Sequence, residues 1–357
     1  MGTRPEGGLY PCSTHNLQDP FHKLSHDAAR GIAAAQPTSH LKVRNFISSF
    51  SITFWNDQLS LIAQFCAMTF DQPQPRPSYF TEAAAKVAFL QYYDQTLDEL
   101  GVPYESLRIE TTFGDTHLTI CGPEDAPPIV LLSPELSCTP LLLHKLSTLL
   151  PHFRVFAIDL IGQPGKSAEL RPSLMSEALG QWMHELLTRL RLRSVLLIGV
   201  SFGAFVALQA LRLNPTVYRA AVLIAPLGMT PLPLAQIQVP ALQRLEQNLQ
   251  LRPLAIESQQ ADTFLNYANI IRDQYRADLR QIPLVTKEQM AGITIPVATV
   301  VFQDDPYLSA GPGAQFLPQL FQNQLPPLIV PAKSIGPTGS VDCWAAIVTS
   351  IIAQYGK

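Results

Sequence analysis

Residues 196–205 read LLIGVSFGAF, and within them Gly199-Val200-Ser201-Phe202-Gly203 spells G-x-S-x-G. The apolar run SVLLIGV (194–200) ends at the serine, and GAFVALQALRL (203–213), with its small residues first, begins after it. A strand that passes through a sharp turn into a helix carries a serine hydroxyl at the apex of the turn, and flanking glycines relieve the crowding there. The helix N-terminus favours negative charge at that hydroxyl. The pattern makes Ser201 a candidate nucleophile and the Phe202 N–H a candidate oxyanion donor. The plainer alternative is a tight turn holding an incidental serine.

Apolar runs and amphipathic stretches alternate on both sides of this segment. PIVLLS (128–133), RVFAID (154–159), AAVLIAP (220–226), PVATVVF (296–302) and PPLIVP (326–331) read as buried strands. PLLLHKLSTLL (140–150), LMSEALGQWMHELLTRL (174–190) and residues 341–354 read as helices, the last with Trp344, Ile347, Val348, Ile351 and Ile352 on one face. Continuous apolar strands separated by helices specify an α/β fold, a mostly parallel sheet with helices on both faces. Ahead of this pattern, Val87, Leu90, Tyr93, Leu97 and Leu100 mark a helix. SLRIETTF and THLTICG around Gly114-Asp115 mark a hairpin.

These patterns divide the chain into an N-terminal extension ending in the Pro-rich DQPQPRP (1–77), a core in two pieces (78–226 and 295–357) and a helical cap insertion (227–294). Met68 is an alternative start of translation. Within the cap, Phe264, Tyr267 and Tyr275 are candidates for an apolar pocket roof, or for ordinary packing.

Composition narrows the functional classes. With 47% hydrophobic and 15% charged residues among 357, the chain supports a sizeable core and is not globally disordered. A net charge of −3 without charge runs argues against nucleic acid or an anionic membrane as partner. The most apolar early stretch, 46–70, is interrupted by Asn56, Asp57 and Gln58, so no transmembrane segment is expected. No secretory peptide is visible, and the five cysteines are odd in number and widely spaced, which fits reduced thiols in a cytoplasmic protein. His22 and His26, with Cys12 and His15, lack a regularly spaced fourth ligand, so no metal is expected. Gly165-Lys166-Ser167 lacks the earlier glycine of a phosphate-binding loop, since position 160 is Leu, and no cofactor is expected.

Four stretches together resemble the α/β-hydrolase superfamily over about residues 79–357: IGVSFG; DLIGQPGKS (159–167), similar to its D-x-x-G-x-x-G-x-S loop; Val102-Pro103-Tyr104-Glu105; and Thr112-Phe113-Gly114-Asp115-Thr116-His117. More narrowly the chain resembles bacterial members with a helix ahead of the core, esterase-like serine hydrolases. That resemblance implies the chain order Ser, acid, His, with Ser201 as nucleophile and Asp305, or less favourably Asp304, as acid in FQDDP. It implies a small apolar acyl or ester-like ligand. It places the oxyanion loop at Ser133-Pro134-Glu135, where the family commonly has His-Gly, with the N–H groups of Phe202 and Glu135 as donors. The base belongs in the loop PAKSIGPTGS (331–340), which has no histidine; no histidine follows His184 anywhere. A serine hydroxyl needs a proton acceptor to act as a nucleophile at neutral pH. His117, His144, His152 and His184 read as structural or surface residues, while the N-terminal histidines 15, 22, 26 and 40 stay open as residues of an extension that folds over the site. Lys333 and Glu135 are the unconventional candidates. Two readings follow: a serine hydrolase of small carboxylic esters with an incomplete triad, or a non-catalytic protein of the same fold that binds a small ligand or a protein partner.

Overall fold

The computed structural model describes residues 78–228, 267–302, 321, 328–330, 347, 349–351 and 353–354. They build one mixed sheet of eight strands: β1 (Tyr104–Thr111), β2 (Gly114–Cys121), β3 (Pro128–Leu132), β4 (Arg154–Ile158), β5 (Val195–Val200), β6 (Tyr218–Ile224), β7 (Val297–Phe302) and β8 (Leu328–Val330). The spatial order is β1-β2-β4-β3-β5-β6-β7-β8. β1, β2 and β4 pair antiparallel, and every pairing from β4 onward is parallel. The expected α/β architecture is therefore present.

The alternation of side chains explains why the strands are continuously apolar. In β5, Val195 and Leu197 join a core on one face of the sheet, while Leu196, Ile198 and Val200 join the core on the other. β3 divides in the same way, Val130 and Leu132 against Ile129 and Leu131. Both faces are buried, so neither set of alternate residues can be polar. Helices α3 (Ala178–Arg189) and α4 (Phe202–Leu213) contribute to the first core. Helices α1 (Ala83–Asp98) and α2 (Thr139–Lys145), with the helical stretch 267–274, contribute to the second. In α4 every residue from Phe202 to Leu211 is buried, which is why its sequence lacks a polar face.

Three details depart from the sequence patterns. The buried face of α1 is Ala85, Phe89, Tyr92, Tyr93, Thr96 and Leu97, and Val87 is 55% exposed. Aromatic partners on the second core select that face: Tyr92 stacks on Tyr267, and Phe89 packs on Phe80 and Tyr93. The hairpin reverses at Thr112-Phe113, because Thr111 pairs with Gly114 and Glu110 with Asp115 inside the ladder. Tyr267 and Tyr275, which the sequence pattern puts in the cap segment, are buried in the core, the Tyr275 ring against Phe80 and Tyr79. Of the segment expected to form a cap, residues 229–266, including Phe264, lie outside the described residues, as do Trp344, the loop 331–340 and the expected extension 1–77. Among the described residues no helix is long and apolar enough to cross a membrane.

Trp182 of α3 joins the helical layer to β2. Its fully buried indole Nε1–H donates to Thr116 Oγ1 at 2.8 Å. Trp182→Phe leaves that buried hydroxyl without its donor and is expected to lower stability by about 1–3 kcal/mol in urea denaturation; an unchanged midpoint would show that the bond contributes nothing.

Candidate functional site

β5 runs apolar to Val200 and α4 starts at Phe202, so Ser201 alone makes the turn. Its backbone is at φ 51°, ψ −110°, a region that residues with a Cβ rarely occupy and that costs about 1–3 kcal/mol. Neighbouring bonds hold it there: Ser201 N–H donates to Ile224 O at 2.8 Å, and Ser201 O accepts from the N–H groups of Ala204 and Phe205 at 3.0 and 3.1 Å. The flanking glycines are required by space. A Cβ on Gly203 would sit 2.4 Å from Leu132 O, and one on Gly199 would sit 2.6 Å from Gly203 O. The first turn of α4 thus lies directly on the end of β3.

Topology puts this turn where ligands gather. After β3 the chain moves to β4 on one side, then crosses to β5 on the other, so β3 and β5 flank the point at which the strand order reverses. Crevices at such points, beyond the carboxyl ends of the strands, are the usual binding sites of open α/β sheets. The pairing of Leu132 with Gly199 brings Ser133-Pro134-Glu135 beside Ser201.

The two oxyanion candidates do meet, through an unexpected group. Phe202 N–H donates to the carboxylate oxygen Glu135 Oε2 at 3.2 Å. The loop that presents Glu135 is pinned at Leu136, which lies at φ 52°. Leu136 N–H donates to Gln163 Oε1 at 3.2 Å, and its carbonyl accepts the Tyr267 hydroxyl. Asp305 lies outside the described residues, as do Asp304 and Lys333.

Three described histidines are engaged elsewhere. His144 Nε2 meets Thr96 O at 2.7 Å, and His184 Nδ1 meets the Asn214 side-chain amide at 3.2 Å. His117, 2% exposed, lies between Ser106 and Asp159: Nε2 is 2.8 Å from Ser106 Oγ and Nδ1 is 2.9 Å from Asp159 Oδ2. Asp159 also accepts from Tyr93 OH, Thr139 Oγ1 and Lys166 N–H. Burial, then the Asp159 carboxylate, push the Tyr93 phenol well above its ordinary pKa, which keeps it a donor. This explains DLIGQPGKS: Gly165 leaves room for the Asp159 carboxylate, and Ser167 Oγ donates to Asp159 O and accepts from His117 N–H. Sequence alone assigns no role to Ser106, and gives Asp159 only as the first residue of that loop. The only signal was the D-x-x-G-x-x-G-x-S pattern itself, which identifies the loop without its partners.

Of the thiols, Cys121 and Cys138 are buried and unpaired by disulfide; burial raises the Cys121 pKa to about 11 and pushes that of Cys138 higher still, so both are poor nucleophiles.

A sheet of this order, with a strained, glycine-flanked serine at its switch point, defines the α/β-hydrolase class. The family model described as the alpha/beta hydrolase family matches residues 134–334, more than half of the chain, and the chain belongs to that family. It is similar to carboxylesterase YbfK of Bacillus subtilis (strain 168), 29% identical over 147 residues, which are 41% of this chain and 50% of that protein. The chain spans about half the length of the curated relatives it matches. Two solved Bacillus subtilis structures share the fold: carboxylesterase CesB (YbfK), with TM-score 0.62 at 19% identity, covering 77% of this chain and 100% of that one, and naproxen esterase, with TM-score 0.61 at 19% identity, covering 77% and 99%.

If the backbone at Ser201 is strained, Ser201→Gly will be more stable than Ser201→Ala by about 1 kcal/mol in chemical denaturation, because only glycine accepts a positive φ without penalty. Equal stabilities would contradict the strain.

Proposed function

We propose that the chain is a hydrolase of small carboxylic esters that uses Ser201 as its nucleophile, with Asp305 in the acid's position. The observation that carries this reading is the strained turn itself. A non-glycine residue at φ 51° between Gly199 and Gly203 is costly to keep, and it presents a hydroxyl and an adjacent backbone N–H at the strand ends. The carboxylesterase relatives support an ester as the substrate class.

In this reaction the Ser201 oxygen attacks the ester carbonyl carbon, and its proton passes to a base. The negative charge that develops on the carbonyl oxygen needs the Phe202 N–H. Two features slow the step. No histidine stands in the loop where the family places its base, and the Glu135 carboxylate occupies the N–H that the oxyanion requires. Turnover is therefore expected to be slow and limited to esters with good leaving groups.

The same two features favour a second reading, a non-catalytic protein of this family that binds a small ligand or partner beside Ser201. Fluorophosphonate labelling and hydrolysis of short-chain p-nitrophenyl esters separate the two. The esterase reading expects an adduct on Ser201 and a rate above the Ser201→Ala background; absence of both leaves the binding reading.

Two substitutions refine the chemistry. Glu135→Gln removes the charge that competes with the oxyanion and is expected to raise kcat/KM on p-nitrophenyl acetate about tenfold; a loss of activity would instead make Glu135 the proton acceptor. Introducing histidine at Ser334 or Ile335 is expected to increase the rate at pH 8, and no increase at either position would place the base loop elsewhere.

A further inference from the structure

Ser106, His117 and Asp159 form a second hydroxyl–imidazole–carboxylate relay, far from Ser201 in sequence and independent of it. We propose that Ser106 is a second activated serine, a surface nucleophile that is acylated by activated esters and phosphonylated by fluorophosphonates. This goes beyond the esterase reading, which concerns Ser201 alone.

The hydrogen-bond network determines the direction of the relay. Tyr93 OH and Thr139 Oγ1 donate to Asp159 Oδ1, while the Lys166 N–H and His117 Nδ1 lie on Oδ2. A carboxylate oxygen only accepts, so in the neutral imidazole His117 Nδ1 carries the ring proton and Nε2 is left as an acceptor. The group on Nε2 is the Ser106 hydroxyl, 2.8 Å away, which must donate. The Ser106 oxygen therefore points its proton at a base and its lone pairs outward, as an activated serine does. His117 is almost completely buried, and the Tyr93 ring packs against it edge-on, with ring centroids 5.9 Å apart and planes at 78°.

Access and electrostatics are also in place. Ser106 is exposed on β1, the first strand of the sheet, whose residues from Tyr104 to Arg108 are all exposed. Arg108 lies two residues along on the same face, directly opposite His117 in the ladder, and its guanidinium donates to Lys166 O at 3.1 Å. A positive charge on the same face of β1 favours the oxyanion that forms on attack. A purely structural serine would need neither the exposure nor a ring nitrogen held as acceptor by a fourfold-bonded carboxylate.

The step is an acyl transfer. Ser106 Oγ bonds to the carbonyl carbon of an aryl ester while its proton moves to His117 Nε2. The tetrahedral intermediate collapses with cleavage of the carbon–aryloxy bond; the aryloxy oxygen leaves with the electron pair and takes the proton from Nε2. Ser106 is left as an ester, and His117 returns to its starting state. With a fluorophosphonate the same attack displaces fluoride.

The test uses the full chain and a fluorophosphonate probe, with each adduct assigned by tryptic peptide and fragment ions. Ser106 falls in peptide 87–108 and Ser201 in peptide 194–212, so the two serines are scored separately and failure of one leaves the other intact. The Ser201→Ala protein is expected to keep an adduct on Ser106, formed about a hundredfold faster than on the exposed Ser173 and Ser176, whose hydroxyls meet backbone groups instead of an imidazole. Ser106→Ala/Ser201→Ala is expected to lose it. Labelling of Ser106 no faster than of Ser173 and Ser176 overturns the proposal, and this comparison within one molecule needs no substitution in the buried histidine.

Discussion

The first turn of α4 lies so close to the end of β3 that position 203 has no space for a side chain, and the candidate site follows from this contact. An added Cβ would meet the carbonyls of Leu132 and Ser133 at 2.4 and 2.5 Å. The helix can approach that closely only if the chain leaves β5 and enters α4 within one residue, and that residue, Ser201, takes the backbone strain. The ten buried residues of α4, Phe202 to Leu211, anchor the helix and maintain the contact. The strain at one serine is thus sustained by burial of the helix that follows it, roughly 25 cal/mol for each Å² of apolar surface removed from water.

The loop 159–171 links this turn to the hairpin. Gln163 holds Leu136, and through it the segment that brings Glu135 to the Phe202 N–H. Two residues on, Gly165 and Lys166 wrap the Asp159 carboxylate, and Ser167 bonds the backbone of His117. Arg171 closes the loop on the Tyr79 and Tyr275 rings, with its guanidinium 3.8 Å from the first ring centroid. One short segment therefore fixes two serine environments with opposite characters. At Ser201 a strained backbone and a helix start are present without a histidine from the customary loop. At Ser106 an oriented imidazole is present on an ordinary strand.

The fold was legible because its strands are buried on both faces: runs such as VLLIGV and PIVLL admit no polar residue, and the helices between them carry clear amphipathic spacing. The turn at Ser201 was legible for the same kind of reason, since two close approaches of backbone demand glycine at fixed offsets. Contacts that depend on tertiary placement were not. Val87 has the right spacing for the buried face of α1, yet Phe89 and Tyr92 join Tyr93 on that face because Phe80 and Tyr267 are there to meet them. Glu135 was readable as a loop position, but only the structure brings its carboxylate to the Phe202 N–H. Ser106 and Asp159 are separated from His117 by 11 and 42 positions, and no local pattern announces a diagonal contact across an antiparallel ladder.

The proposed ester hydrolysis needs Ser201 and the Phe202 N–H to act as one oxyanion-binding nucleophile site, with the Glu135 carboxylate now on that N–H. A crystal structure of the protein after reaction with a fluorophosphonate tests this most directly. The account predicts phosphorus bonded to Ser201 Oγ, its phosphoryl oxygen within hydrogen-bond distance of Phe202 N–H, and the Glu135 carboxylate displaced. An unmodified Ser201, with Phe202 N–H still on Glu135, would contradict it.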